Sequence, residues 1–159
     1  MAPSFDPIGI VHTPFTSKEG IPIQSSLAKG IKGKIELKEE FMPGLQDLDG
    51  FSHIILIYYF HKSVGFELQV RPFLDHTKRG VFATRAPKRP NPIGLSVVRL
   101  LDIHNNILNI ENVDILDGTP LLDIKPYIPY FDILQVEKCG WIANRFDKLN
   151  GIRSDDRFE

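Results

Sequence analysis

The sequence has one cysteine and no histidines in the spacing that binds metals. Cys139 has no cysteine within the chain to pair with, so an intrachain disulfide and a cysteine-based zinc site are both excluded. The five histidines show no H-x-x-x-H pair, which argues against a metal site. The longest apolar run, residues 54–60, is far short of the roughly 20 residues of a membrane-spanning helix. We therefore expect a cytoplasmic protein without metal or membrane partner.

Common nucleotide-binding and hydrolase motifs are also missing. There is neither a G-x-G-x-x-G turn after a strand nor a G-x-x-x-x-G-K-[ST] loop, so a nucleotide-like ligand would have to be bound in another way. The G-x-S-x-G turn of serine hydrolases is absent. Ser52 and His53 are adjacent, and neighbours on a strand point to opposite faces, so we predict that they do not pair.

The hydrophobic content of 42 % is sufficient for a core, and 159 residues suit one domain. The apolar segments are short, rich in β-branched residues and separated by turn residues, which is typical of an all-β barrel or sandwich. Asn105-Asn106 predicts a tight hairpin. The segment 53–60 does not alternate, so both of its faces should be covered. Strands are predicted at residues 7–12, 33–38, 53–60, 80–84, 95–103, 107–115 and 133–137.

One helix is predicted near the C-terminus, at about residues 141–151. Ile142, Phe146 and Leu149 fall at helical spacing, and Gly151 stands where a C-terminal cap belongs. We therefore expect a single domain over residues 1–159, with a core at about 5–138 followed by this helix.

Positive charge is concentrated in one part of the chain. Residues 71–89 contain six basic residues and one acidic residue, so this stretch carries +5 and the rest of the chain −6. Such a local patch can bind phosphate at one site. A solvated loop face explains the same pattern.

The segment 80–96, GVFATRAPKRPNPIGLS, combines basic residues with three prolines. Each proline restricts its own φ and the residue before it, so the loop is preorganised. The guanidinium groups of Arg85 and Arg89 suit carboxylate or phosphate. The alternative is a rigid structural loop whose arginines pair with surface acids.

Two further segments offer polar groups at the ends of strands. Asp114 and Asp117 flank an apolar pair and could accept hydrogen bonds from ribose hydroxyls or an amine, although Asp117-Gly118 is also a turn signal. Phe60-His61 follows an apolar strand and could line a pocket, although a capped or solvated histidine is the more common case.

These segments together resemble the TsaA-like family (also called the TrmO family), whose characterised members methylate N6 of threonylcarbamoyladenosine beside the anticodon of tRNA. The resemblance extends over residues 5–132 and implies a small antiparallel β-barrel with one C-terminal helix, forming a homodimer that binds S-adenosyl-L-methionine through loops. The motifs that carry it are Ile8-Gly9, Thr13-Pro14, Phe51-Ser52-His53, Phe60-His61, GVFATR at 80–85, RPNPIG at 89–94, DGTP at 117–120 and DIKPY at 123–127.

The resemblance also implies roles for individual residues. Arg85 and Asp117 are the catalytic candidates, with Asp117 or solvent receiving the proton of the acceptor nitrogen. The tRNA anticodon loop would meet Lys78, Arg79, Lys88 and Arg89. The implied cofactor contacts are Gln24, Ser25, Ser26, Phe60, His61, Arg85, Gly94, Leu95, Ser96, Asp114, Ile115, Leu116 and Asp117.

Two other functions remain open at this point. A methyltransferase of the same fold could act on another small substrate. A non-catalytic module could sense S-adenosylmethionine or nucleic acid without turnover.

Overall fold

The computed structural model describes residues 3–148, and its centre is a closed barrel of six antiparallel strands in the order β1-β2-β7-β6-β3-β8. A separate two-stranded sheet pairs β4 with β5. The strands are β1 Gly9–His12, β2 Lys32–Leu37, β3 His53–Tyr59, β4 Gln69–Val70, β5 Arg79–Gly80, β6 Ile93–His104, β7 Ile107–Glu111 and β8 Thr119–Pro126. The helical elements are α1 Pro129–Asp132 and the 3-10 helices Ser25–Leu27, Glu39–Leu45, Leu48–Gly50, Val81–Ala83, Gly140–Ile142 and Phe146–Lys148.

The barrel interior is filled by alternate residues of every strand. β3 contributes Ile54 and Leu56, both fully buried, and β7 contributes Leu108 and Ile110. Closing the sheet removes free strand edges, and small barrels fill their interior with side chains. Truncating one of these residues to alanine should cost about 2–5 kcal/mol, because a cavity would remain.

The structure confirms most of the predicted strands. β1, β2, β3 and β6 begin and end within two residues of the predicted bounds. Asn105 has a φ of 54° in the β6–β7 turn, which confirms the Asn-Asn hairpin. The interpretation of residues 53–60 was only half right. The inner face of β3 is buried, while the outer residues Ile55 and Ile57 are partly exposed.

Other strand predictions were wrong, each for a local reason. Residues 80–84 form β5 and then a 3-10 turn, in which both the amide and the hydroxyl of Thr84 bond the Val81 carbonyl. β7 ends at Glu111, because Asn112 adopts a φ of 65°. Residues 133–137 are irregular and exposed. β8 was missed, because its prolines and charges resemble a turn segment; it nevertheless closes the barrel between β1 and β3.

The α-helix of the described residues precedes the segment in which a helix was predicted. α1 spans Pro129–Asp132, whereas residues 141–148 contain two 3-10 turns. Leu149 and Gly151, on which the predicted helix also depends, lie outside the described residues. Among residues 3–148, no helix has both the length and the hydropathy required to cross a membrane.

Candidate active site at the barrel end

A cavity of about 350 Å³ lies where the end of β3 and the start of β6 meet three loops. We call it the central cavity. Its volume falls in the range of small-molecule sites, about 300–1,000 Å³. Its lining is formed by Lys18, Ile21, Pro22, Ile23, Gln24, Tyr58, Phe60, His61, Lys62, Ser63, Phe73, Thr84, Arg85, Pro87, Arg89, Ile93, Gly94, Leu95, Asp114, Ile115, Leu116 and Thr119.

A chain of hydrogen bonds leads from the barrel core to this cavity. The Tyr58 and Ser96 hydroxyls lie 2.9 Å apart, and Ser96 donates to an Asp114 carboxylate oxygen at 2.6 Å. The backbone N–H of Ser25 also bonds the Asp114 carboxylate. Burial raises the pKa of Asp114 to about 6, although these hydrogen bonds oppose the shift. Burial also raises the pKa of Tyr58, which therefore stays a neutral phenol. Hydrogen bonds therefore fix the position of the Asp114 carboxylate, and its pKa of about 6 means that it changes ionisation near neutral pH.

Gly94 allows the Tyr58 ring to pack across the start of β6. A Cβ at Gly94 would overlap the Tyr58 ring and come within 2.9 Å of the Phe60 ring. The Tyr58 and Phe60 rings meet edge to face, with centroids 5.5 Å apart. The glycine in this position is therefore required by close packing beside the cavity.

Arg85 joins two of the loops around the cavity. Its guanidinium donates a 2.7 Å hydrogen bond to the side-chain carbonyl of Gln24. Its positive charge lowers the pKa of Asp114, which places it within electrostatic reach of that carboxylate. Arg85 is exposed, so the rest of its guanidinium fork can bind a ligand.

The basic residues of the loop differ in what they contact. One guanidinium nitrogen of Arg89 donates to the carbonyls of Thr84 and Ala86, each at 3.0 Å, so Arg89 braces the loop. Arg79 pairs with Asp75 at 2.6 Å, and this bond holds the pKa of Asp75 at about 2. These contacts favour the structural alternative for both arginines. Lys88 is partly buried and Lys78 is exposed.

Asp117 and Ser26 lie outside the cavity lining. One Asp117 carboxylate oxygen accepts a 3.0 Å hydrogen bond from the Thr13 amide and lies 3.7 Å from a ring nitrogen of His12. Ser26 is exposed on the 3-10 turn Ser25–Leu27. His61 does line the cavity, where burial lowers its pKa and the nearby Lys62 lowers it further. Asp114 is therefore the carboxylate best placed to meet a ligand here.

Sequence reasoning missed Tyr58, although it could have been found. β3 ends in two tyrosines, Tyr58 and Tyr59, and strand alternation places Tyr58 on the buried face with Ile54 and Leu56. A buried tyrosine hydroxyl needs a hydrogen-bond partner, and that requirement points to a polar group at the same level of the barrel.

Sequence reasoning was wrong about Ser52 and His53. Their side chains share a 2.8 Å hydrogen bond, because Ser52 precedes β3 and the alternation of a strand does not apply to it. Neither residue lines the central cavity. Within residues 3–148, no three histidine, cysteine or carboxylate side chains are grouped to hold a metal ion.

Known proteins resemble this chain over most of its length. Residues 10–133 match the sequence model of the TrmO_N family, the tRNA-methyltransferase O N-terminal domain. A probable S-adenosyl-L-methionine-binding protein of Pyrococcus abyssi is 54 % identical over 154 residues, covering 97 % of this chain and 84 % of the relative. The tRNA (adenine(37)-N6)-methyltransferase of Escherichia coli is 36 % identical over 140 residues, covering 82 % of this chain and 60 % of the enzyme.

A solved structure of TrmO from Pseudomonas aeruginosa superposes with a TM-score of 0.75 at 40 % identity, covering 89 % of this chain and 63 % of that one. This likeness bears out the predicted small antiparallel barrel. The chain spans less than two thirds of the length of this protein and of the Escherichia coli enzyme.

Proposed function

This chain belongs to the family of the tRNA-methyltransferase O N-terminal domain, and we propose that it is a methyltransferase that uses S-adenosyl-L-methionine to methylate tRNA. The observation that carries the proposal is the central cavity, in which the Asp114 carboxylate and Arg85 meet a mainly apolar wall. Relatives named for S-adenosylmethionine binding and for tRNA adenine methylation support the same reading.

The residues around the cavity suit S-adenosylmethionine. When bound, this cofactor supplies an electrophilic methyl group on a positively charged sulfur. The Asp114 carboxylate can accept hydrogen bonds from an amine or from ribose hydroxyls, and the rings of Tyr58 and Phe60 offer apolar contact. We propose that the cofactor is held by these groups together with Gln24, His61, Leu95, Ile115 and Leu116, all of which line the cavity.

Ser25, Gly94 and Ser96 support that site without needing to touch the cofactor. Ser25 and Ser96 hold the Asp114 carboxylate, and Gly94 makes room for Tyr58. Asp117, through its bond to Thr13, shapes the turn that carries the segment 114–116. We propose that Asp117 or solvent receives the proton of the acceptor nitrogen, because Asp117 is partly exposed near this end of the barrel.

The acceptor that we propose is N6 of threonylcarbamoyladenosine beside the anticodon. Arg85 would bind the threonyl carboxylate, since its exposed guanidinium stands at the cavity with one bond to Gln24. Holding donor and acceptor together in line contributes several kcal/mol to such a reaction. Lys78, Lys88 and, through its remaining donors, Arg89 would meet the anticodon-loop phosphates, while Arg79 would act through its pair with Asp75.

We also propose that the protein is a cytoplasmic homodimer. The segment 130–136 carries large apolar side chains on the surface, of which Tyr130 is 91 % and Leu134 77 % exposed. Contiguous apolar surface of this kind marks interaction sites. Light scattering at working concentration would contradict the dimer if it gave the 18.1 kDa mass of one chain.

Methyl transfer to tRNA is the direct test of the proposed function. The protein is incubated with labelled S-adenosylmethionine and total tRNA from a strain that lacks the modification, and the label should appear in a single modified adenosine. Transfer to a small molecule instead would support a different substrate. Calorimetric binding of S-adenosylhomocysteine at micromolar affinity, about −8 kcal/mol, without any transfer would indicate a sensor.

A further inference from the structure

A second cavity adjoins the central one and shares a wall with it. It measures about 580 Å³, and we call it the C-terminal cavity because residues 139–142 form its outer side. Ile23, Gln24, Phe73, Thr84 and Arg85 line both cavities. A ligand in either cavity therefore meets the same Arg85–Gln24 pair, and two ligands could approach each other beside this pair.

The outer side of the C-terminal cavity is attached to the basic loop. The indole N–H of Trp141 donates a 2.8 Å hydrogen bond to the Ala83 carbonyl. The guanidinium carbons of Arg79 and Arg145 lie 5.7 and 5.8 Å from the centre of the Trp141 ring. Both arginines also reach Asp75, at 2.6 and 3.4 Å. This network holds residues 139–142 against the loop, so side-chain contacts fix the outer side of the cavity.

Phe82 presents an aromatic surface to this cavity. It lies on the 3-10 turn Val81–Ala83, lines the cavity and is 76 % exposed. Exposure of so large an apolar ring to water costs free energy, which a ligand that covers the ring would recover. Unstacked RNA bases commonly pack against aromatic rings and arginine side chains. Arg85 supplies that cation on the shared wall.

We propose that the C-terminal cavity receives the acceptor nucleotide, an unstacked adenine base of RNA that packs against Phe82 and extends its N6 substituent towards Arg85. The inference rests on the proposed methyltransferase function, because it assigns donor and acceptor to two adjoining cavities. It gives Phe82, Trp141 and the wall formed by residues 139–142 a role in binding RNA.

The chain carries its own probe of this cavity, since Trp141 is its single tryptophan. The protein is saturated with S-adenosylhomocysteine and titrated with an anticodon stem-loop RNA that contains threonylcarbamoyladenosine. We expect saturable quenching of the Trp141 fluorescence. Phe82→Ala should weaken the RNA affinity roughly 5- to 150-fold, the range found when one base-stacking ring is removed. Its affinity for S-adenosylhomocysteine should not change.

Phe5→Ala is the matched control, because Phe5 is 69 % exposed and lines none of the described cavities. It should leave RNA affinity unchanged. A second readout is alkylation of Cys139, the single cysteine, which lines the same cavity. RNA should slow this alkylation in the wild type and in Phe5→Ala, and much less in Phe82→Ala.

Three results would overturn the inference. RNA affinity could be equal in Phe82→Ala and wild type, RNA could leave the Cys139 alkylation rate unchanged, or Phe82→Ala could convert a dimer into a monomer, which would make the cavity part of a subunit interface. If the wild type methylates tRNA in any of these cases, the proposed function stands without this acceptor site. If the wild type transfers no methyl group while the Phe82-dependent quenching persists, the proposed function fails and the nucleotide site stands.

Discussion

The hydroxyl of Ser96 donates a 2.6 Å hydrogen bond to the Asp114 carboxylate, and the same hydroxyl lies 2.9 Å from that of Tyr58. The bond links a residue near the start of the longest barrel strand, β6, to the loop that follows β7. A carboxylate is thereby fixed at a cavity wall, so its ionisation should affect both the stability of the fold and the binding of a cationic ligand.

The first prediction concerns stability against pH. The pKa of Asp114 rises from 3.8 to about 6 on folding, so the folded state binds the proton more tightly than the unfolded state. This contribution to the free energy of unfolding is fully present below pH 4 and is lost as the pH rises through about 6. The loss is on the order of 3 kcal/mol. Asp114→Asn should remove this loss. Urea unfolding of the wild type and of Asp114→Asn between pH 4 and 8 measures this difference. Parallel pH profiles of the two proteins would contradict a raised pKa for Asp114.

The same ionisation should control cofactor binding. Above pH 6 the Asp114 carboxylate is charged and attracts a ligand that carries an amine or a sulfonium. The affinity for S-adenosylmethionine should therefore rise as the pH increases through about 6 in the wild type, and should vary much less in Asp114→Asn. Calorimetry at several pH values tests this, and a pH-independent affinity in the wild type would exclude Asp114 from the site.

The third prediction concerns Gly94. A methyl group there overlaps the Tyr58 ring, so Gly94→Ala should destabilise the protein by about 1–3 kcal/mol and weaken cofactor binding by displacing Tyr58 from Ser96. Gly44→Ala is the control, because a Cβ at Gly44 meets no atom within 4 Å. Thermal unfolding and S-adenosylhomocysteine titration are measured on both variants. Equal melting temperatures and equal affinities would mean that Tyr58 can shift without affecting stability or binding.

The fourth prediction separates Arg85 from Arg89. Arg85→Ala should lower turnover even at saturating tRNA, by about 1.5–3 kcal/mol in activation free energy if a charge-assisted bond to substrate is lost. Arg89→Ala should mainly lower thermal stability, because its bonds to the Thr84 and Ala86 carbonyls are internal. Melting temperatures and methylation rates are measured on both. A shared loss of stability with proportional loss of activity would make Arg85 a structural residue too.

The fifth prediction concerns Lys88 and Lys78. If each meets an RNA phosphate, Lys88→Ala and Lys78→Ala should each reduce the salt dependence of tRNA binding by roughly one unit of slope. S-adenosylhomocysteine binding should be nearly unchanged. Glu39→Ala is the control for the removal of a surface charge, since Glu39 is exposed on the 3-10 helix Glu39–Leu45 and lines neither the central nor the C-terminal cavity. Salt slopes equal to that of the wild type would place the RNA surface elsewhere.

Local sequence determined much of the fold. Short β-branched runs separated by turn residues specify strands, because alternate side chains of each run can be buried on one face. Asn105 tolerates the positive φ of its hairpin, and the prolines near Arg85 stiffen their loop wherever it lies. The motifs around residues 80–96 and 117–127 were also sufficient to indicate the family.

Tertiary structure decided which of the polar residues meet. β8 is a strand because β1 and β3 offer it hydrogen-bonding partners on both sides, which outweighs the unfavourable propensity of its prolines and charges. Asp114 rather than Asp117 faces the cavity, since the Thr13 amide, far away in sequence, binds Asp117. Arg89 turns inward to carbonyls of its own loop. Such outcomes depend on distances between segments remote in the chain, and these distances exist only once the barrel has closed.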